Sequence, residues 1–226
     1  MEQKLSYLRE YDKNIKLLTS DEIDKIHKDT IFSTWQEIFK EKDVKKRINL
    51  LLSIWEKYLG TELCNTISYL KDHLKDIEIM EVDNSYSILY TIKNSKGEYL
   101  YYEGRNPKEE FENEELQKLW KKIPKSIQSF YENMHNGFYY YASESMGLVP
   151  FESVTYLGDE DLERNHKINL ESSFGFFTNG MGSYVAIDCL NCDNGNATFW
   201  STKIQPKYNI DFWSYVDEWI VIGFES

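Results

Sequence analysis

The sequence predicts an α+β fold in which N-terminal helices precede a curved, mostly antiparallel sheet flanked by helices. Apolar residues recur at helical spacing through about residue 75 and alternate at strand spacing from Ile77 to Tyr102. From residue 138 they return as short strand-like runs between turn formers. With 226 residues and a 41 % hydrophobic share, the chain can bury a core as one large domain or as one domain with a helical extension. We divide it into a helical region, residues 1–76, and an α+β domain, residues 77–226. No low-complexity linker marks the boundary, so the helices can equally belong to the same domain.

Taken in order, Thr19-Ser20-Asp21-Glu22 has capping-box form and opens a helix over about 20–40 carrying Ile23, Ile26, Trp35, Ile38 and Phe39. Val44, Ile48, Leu51, Leu52, Trp55, Tyr58 and Leu59 give a second helix, closed by Gly60 in the left-handed C′ conformation. Leu63, Ile67, Leu70 and Leu74 give a third. Residues 77–82, 86–92 and 98–102 alternate as strands, and Asp83-Asn84-Ser85 and Asn94-Ser95-Lys96-Gly97 turn between them, so a β-meander follows. Residues 108–121 read as a helix with Glu109, Glu110 and Glu112 early and Lys118, Lys121 and the adjoining Lys122 late, the order the helix dipole favours. Pro124 at N1 opens a short helix that Asn136-Gly137 closes. Strands are then expected at 138–142, 148–156, 174–178, 183–189 and 197–201, and a terminal helix at 210–220.

Charge is unevenly distributed. The net charge is −12, and residues 137–226 carry 4 Lys+Arg against 13 Asp+Glu. Such a segment lacks the basic patch that tracks phosphates, so we expect no direct nucleic-acid binding and a partner with a basic surface. The N-terminus has no apolar h-region, and no run approaches the roughly 18 apolar residues of a membrane span. Three cysteines make no disulfide framework, so the expectation is a cytoplasmic protein without a membrane partner. Aromatic residues make up 15 % of the chain and suit packing or gripping with rings.

The run Ile123-Pro124-Lys125-Ser126-Ile127-Gln128-Ser129-Phe130-Tyr131-Glu132-Asn133-Met134-His135-Asn136-Gly137-Phe138 resembles the signature of the SUKH superfamily, a Pro-started helix ending in Asn-Gly before a strand. Phe176-Phe177-Thr178-Asn179-Gly180-Met181-Gly182-Ser183-Tyr184-Val185-Ala186-Ile187-Asp188 is similar to that family's glycine turn and following strand, and Phe212-Trp213-Ser214-Tyr215-Val216 resembles its closing helix. The resemblance covers about residues 120–220. It implies an α+β domain that acts by binding. Bacterial members are commonly immunity proteins encoded beside polymorphic toxins, often nucleases or deaminases, and some eukaryotic members regulate cell-wall synthesis. Pro124, Gly137, Gly180 and Gly182 carry the motif and also have plain structural roles, in starting a helix, capping it and allowing positive φ. Asp188 fits either a turn cap or the rim of a binding face.

No motif marks catalysis. Cys189-Leu190-Asn191-Cys192 has no second CxxC and ends a strand rather than opening a helix, so neither a zinc nor a redox site is expected. Gly180-Met181-Gly182 lacks the third glycine of a dinucleotide loop. His27, His73, His135 and His166 are scattered, and Asp159-Glu160-Asp161 with Glu163 reads as a solvated loop. We therefore expect no enzyme, no cofactor and no metal. The expected function is that of an immunity protein binding a toxin. Its contacts are sought among Tyr139, Tyr141, Glu144, Glu152, Asp159, Glu160, Asp161, Asp188 and Asp193, which lie in the acidic, matched region. A regulatory or scaffold module and a hydrolase assembled from scattered residues are the alternatives.

Overall fold

A computed structural model describes residues 2–107, 113–159, 167–201 and 203–226. The N-terminal part consists of α1 (Glu2–Leu8), β1 (Lys16–Leu17), α2 (Ser20–Ile23), α3 (Ser33–Phe39), α4 (Val44–Leu59) and α5 (Cys64–His73). The meander β2 (Leu74–Val82), β3 (Ser85–Lys93) and β4 (Tyr99–Arg105) follows, then α6 (Glu114–Leu119) and α7 (Lys125–Asn133). After these come β5 (Phe138–Tyr140), β6 (Ser145–Leu148), β7 (Thr155–Tyr156), β8 (Ser173–Thr178), β9 (Ser183–Asp188), β10 (Asn196–Ser201), β11 (Lys207–Asp211) and α8 (Phe212–Phe224). Among the described residues the eleven strands form one open antiparallel sheet in the order β1-β2-β3-β4-β5-β6-β8-β9-β10-β11, with β7 paired to β8. The chain is therefore of the α+β class, with helices flanking the sheet.

Period-two alternation separates the two faces of the sheet. Ile77, Ile79, Ile88, Tyr90, Ile92, Tyr102 and Phe138 point into one core with Trp35, Trp55, Ile67, Phe130, Val216 and Phe224 from the helices. Met80, Leu89 and Tyr141 point the other way and meet Leu8 of α1 and Ile15. The helical layer and the sheet thus share one core that runs from α3 to α8. The second face is covered only in part.

Several local expectations change. The helix over 20–40 breaks into α2 and α3, because 27–32 (His-Lys-Asp-Thr-Ile-Phe) is rich in turn-forming and β-branched residues. Gly60 is right-handed (φ −60°, ψ −30°), not left-handed. The chain continues through a further turn, Leu63 N–H to Leu59 C=O at 2.9 Å, directly into α5, so no reversal is needed. Pro124 is the N-cap rather than N1 of α7, with its carbonyl accepting from Ile127 and Gln128. Helix α7 ends at Asn133 with Met134 as its C-cap, so Gly137 (φ +89°) is not its C′ residue. It turns the chain into β5, where a Cβ would stand 2.7 Å from Pro150 N. The strand expected over 148–156 is interrupted by Pro150 and a 3-10 turn at Phe151–Ser153. The helix expected over 108–121 is shorter, and its early acidic residues Glu109, Glu110 and Glu112 lie outside the described residues. Gly180 and Gly182 do take positive φ (75° and 80°) in the β8–β9 turn.

Two buried polar groups join distant segments. Asp217 of α8, 3 % exposed, accepts the backbone N–H groups of Asn65 (3.0 Å) and Thr66 (2.7 Å), so a carboxylate from the last helix satisfies the N-terminus of α5. His135, 1 % exposed, ends a chain in which Trp55 Nε1–H donates to Tyr90 Oη (3.1 Å) and Tyr90 Oη lies 2.6 Å from His135 Nε2. The indole N–H can only donate, so Tyr90 Oη accepts from it and keeps its own proton available to the imidazole. Burial pushes the His135 pKa down to about 3, and the Arg105 backbone beside the ring opposes this less strongly.

Two outcomes are expected. Asp217→Ala leaves α5 uncapped and should lower unfolding free energy by about 2 kcal/mol in urea titration. A loss below ~0.5 kcal/mol would mean that water replaces the carboxylate. For His135, the unfolded chain binds the proton near the ordinary value of 6.5 and the folded chain only near 3. Stability should therefore fall as pH falls through this window, by up to about 1.4 kcal/mol per pH unit. Glu103, whose carboxyl is raised, contributes with the opposite sign within its own window. Urea midpoints between pH 6.5 and 5 should thus decline in the native protein and decline less steeply in His135→Gln. Parallel slopes would refute this assignment.

Candidate functional site

Where α1 stops covering the second sheet face, a cleft of about 320 Å³ opens over β2–β5. The pleat of β4 sends Tyr102 and Gly104 toward the helices and Glu103 and Arg105 into this cleft. Pairing with β5 sets Glu103 opposite Tyr139, whose hydroxyl donates to Glu103 Oε2 at 2.9 Å. Tyr141 forms the next part of the wall and meets Tyr11 edge-on (5.9 Å, 86°). Asp12, Asp83 and Glu144 complete the acidic lining. Arg105 forms an ion pair with Glu152, which Asn136 Nδ2 also approaches at 3.4 Å.

The electrostatics follow from partial enclosure. Burial raises the Glu103 carboxyl above the usual range, while Arg105 and the hydroxyls of Ser87 and Tyr139 pull it back. Burial would lower Arg105, but Tyr139, Glu152, Glu103 and Glu144 together raise it. Burial and the Glu103 charge lift the Tyr139 phenol far above its ordinary value, and the Tyr141 phenol is pushed up to about 12. Glu144 is exposed and left-handed (φ +47°), a conformation that strains a residue with a Cβ. Among the described residues it makes no hydrogen bond or ion pair.

Four of the residues chosen from sequence therefore converge, with Tyr139, Tyr141 and Glu144 lining the cleft and Glu152 holding its arginine. The two tyrosines are wall residues, 3 % and 8 % exposed, and not protruding anchors. Asp188 is elsewhere and serves as a cap, accepting from Ser172 Oγ (2.6 Å), Leu190 N–H (3.1 Å) and Asn169 N–H (3.4 Å). Asp159 is exposed away from the cleft lining. Glu160 and Asp161 lie outside the described residues. Asp193 stands at the rim of a larger groove of about 1270 Å³ between α5, the start of α7 and α8. That groove is open and of mixed charge, with Lys121, Lys122 and Lys125 facing Glu62, Asp211 and Glu218, and its buried carboxylate Asp217 is already used by α5. We place the site at the smaller cleft, where partly enclosed titratable groups interact. Glu103 and Arg105 were missed. Their signal is two charges in a row of aromatic and apolar strand residues, at the parity opposite to the core.

Cys189 and Cys192 are buried, and burial with the neighbouring Cys192 and Asp188 pushes the Cys189 thiol up to about 12. Cys192 Sγ donates to Lys122 C=O at 3.2 Å. No group of three or more His, Cys, Asp or Glu side chains among the described residues could hold a metal ion. Iodoacetamide at pH 8 should label only exposed Cys64 in the folded protein, as read by peptide mass spectrometry. Labelling of Cys189 at a similar rate would contradict this burial. Compared with protein-family models, curated proteins and solved structures, the chain matches none, and the site's chemistry is read from its own residues.

Proposed function

We propose that the chain acts by binding a protein with a basic surface, and that this partner is a bacterial toxin whose active site or substrate groove it occludes, the role that the SUKH resemblance implies. The observation that carries the reading is the cleft's charge balance. Asp12, Asp83, Glu103 and Glu144 face one arginine, and that arginine is held by Glu152 from outside the lining. Such a surface attracts a basic face at long range and opposes an acidic one. Among the described residues no helix is long and apolar enough to cross a membrane.

A second reading rests on Glu103 alone. A carboxyl raised by burial beside a tyrosine and an arginine is also the form of an acid–base group, so a hydrolase is the competing proposal. Glu103→Gln separates the two, since a hydrolase loses its turnover by orders of magnitude while a binder loses no more than about tenfold in affinity.

Co-expression with the product of the adjacent large reading frame is the direct test. That product should arrest growth alone and be tolerated with this chain present, and Glu144→Lys should weaken protection while leaving the fold intact. A harmless neighbour, or equal killing with and without this chain, would overturn the proposal.

A further inference from the structure

We infer that the cleft over β2–β5 receives a single arginine side chain of the partner. This rests on the reading of the chain as a binding protein and specifies what enters the site. A volume of about 320 Å³ suits one long side chain or a small molecule and is too small for a helix. Tyr11, Tyr86, Tyr139 and Tyr141 line it, with Tyr141 edge-on to Tyr11 at 86°. Tyr11, half exposed at the cleft, is the ring free to meet a flat cation, and a guanidinium stacks on such a ring better than an ammonium does.

Charge points the same way. One guanidinium already stands there, since Arg105 lines the cleft and pairs with Glu152. Its ion pair is with Glu152, and among the described residues the cleft's own carboxylates form none. Glu144 has no hydrogen bond or ion pair among the described residues, and its backbone is held in the left-handed region at the cleft edge. Asp12 and Asp83 are linked through Asn14, which donates its N–H to Asp12 Oδ1 (2.8 Å) and its Nδ2–H to Asp83 Oδ1 (3.1 Å). That contact fixes both rim carboxylates without neutralising either. An entering guanidinium would meet Glu103 at the floor and Glu144 at the edge, a forked pairing that a lysine makes with only one point charge.

The test uses the full chain and three short blocked peptides, Gly-Arg-Gly, Gly-Lys-Gly and the citrulline analogue, followed by NMR shift perturbation. The arginine peptide should bind weakly and move the resonances of Tyr11, Tyr139 and Tyr141. It should bind more tightly than the lysine peptide, and the uncharged citrulline peptide should show no saturable shift. Glu144→Gln, a surface change that leaves the core untouched, should weaken binding about tenfold, one exposed or half-exposed ion pair at most. Glu103→Gln should do the same while preserving the Tyr139 hydrogen bond. Equal binding of citrulline, or shifts confined to the groove beside Trp213, would overturn the inference. Peptide binding without protection in co-expression would refute the toxin reading and leave this one standing, and protection unaffected by Glu144→Gln with no peptide binding would do the reverse.

Discussion

The structure depends on the burial of the His135 ring against Gly104. A Cβ at Gly104 would stand 2.6 Å from that ring, so the glycine sets how closely the α7–β5 connection can approach β4. The ring then closes the Trp55–Tyr90–His135 chain, which ties α4, β3 and this connection at one point. The next residues carry the constraint through the sheet. Arg105 donates its N–H to Gly137 C=O (3.3 Å) and accepts from Asn136 N–H (3.0 Å), while Asn136 Oδ1 accepts from Phe151 N–H (2.8 Å). Glu103 and Arg105 leave the opposite face of the same strand, so the core packing on one side fixes where the cleft's charges stand on the other.

The distribution of negative charge explains both the use and the limits of the charge argument. Four carboxylates after residue 136 serve as structural acceptors. Asp188 caps a turn, Asp211 caps α8 through Ser214 N–H (2.7 Å), Asp217 serves α5, and Glu225 holds Tyr69 and Ser95. Three of the four acidic residues that line the cleft, Asp12, Asp83 and Glu103, come from before residue 137. A net charge counted along the chain says how strongly a protein repels or attracts at long range. It does not say which carboxylates remain unpaired after the helix ends and turns have taken theirs.

What was legible in the sequence follows the range of the forces involved. The meander was readable because alternation and turn chemistry are local, and Asp83 and Asn84 take positive φ (48° and 66°) as a two-residue hairpin requires. Helix α4 was readable because Val44 to Leu59 repeat at helical spacing, and its cap is local too, Asp43 accepting from Lys46 N–H (2.9 Å). Gly60 misled because whether a glycine reverses the chain depends on what packs after it. Strand β11 was hidden because Lys207–Asp211 acquires strand form only by pairing with β10, and Asn209 at φ +57° interrupts its pattern. The capping of α5 by a carboxylate more than 150 positions away has no local signal at all. The cleft was half legible, since Tyr139, Tyr141 and Glu144 lie in one short segment, whereas Glu103 and Arg105 join them only through the β4–β5 register.

The two readings of Glu103 differ in what relieves the same electrostatic cost. A partly enclosed carboxylate is destabilised by lost solvation, and it can recover by taking a proton or by meeting a cation. Arg105 supplies part of a cation, but Glu152 competes for it from the other side. An acid–base role would require Glu103 to exchange a proton with a substrate held above it, and Tyr139 donates its hydroxyl to Oε2, the position from which that exchange would start. That hydrogen bond favours the ionised carboxylate. Burial raises the Glu103 carboxyl while Arg105 and Tyr139 pull it back, so either a proton or a cation brought in by a partner would relieve it, and the binding proposal rests on the second.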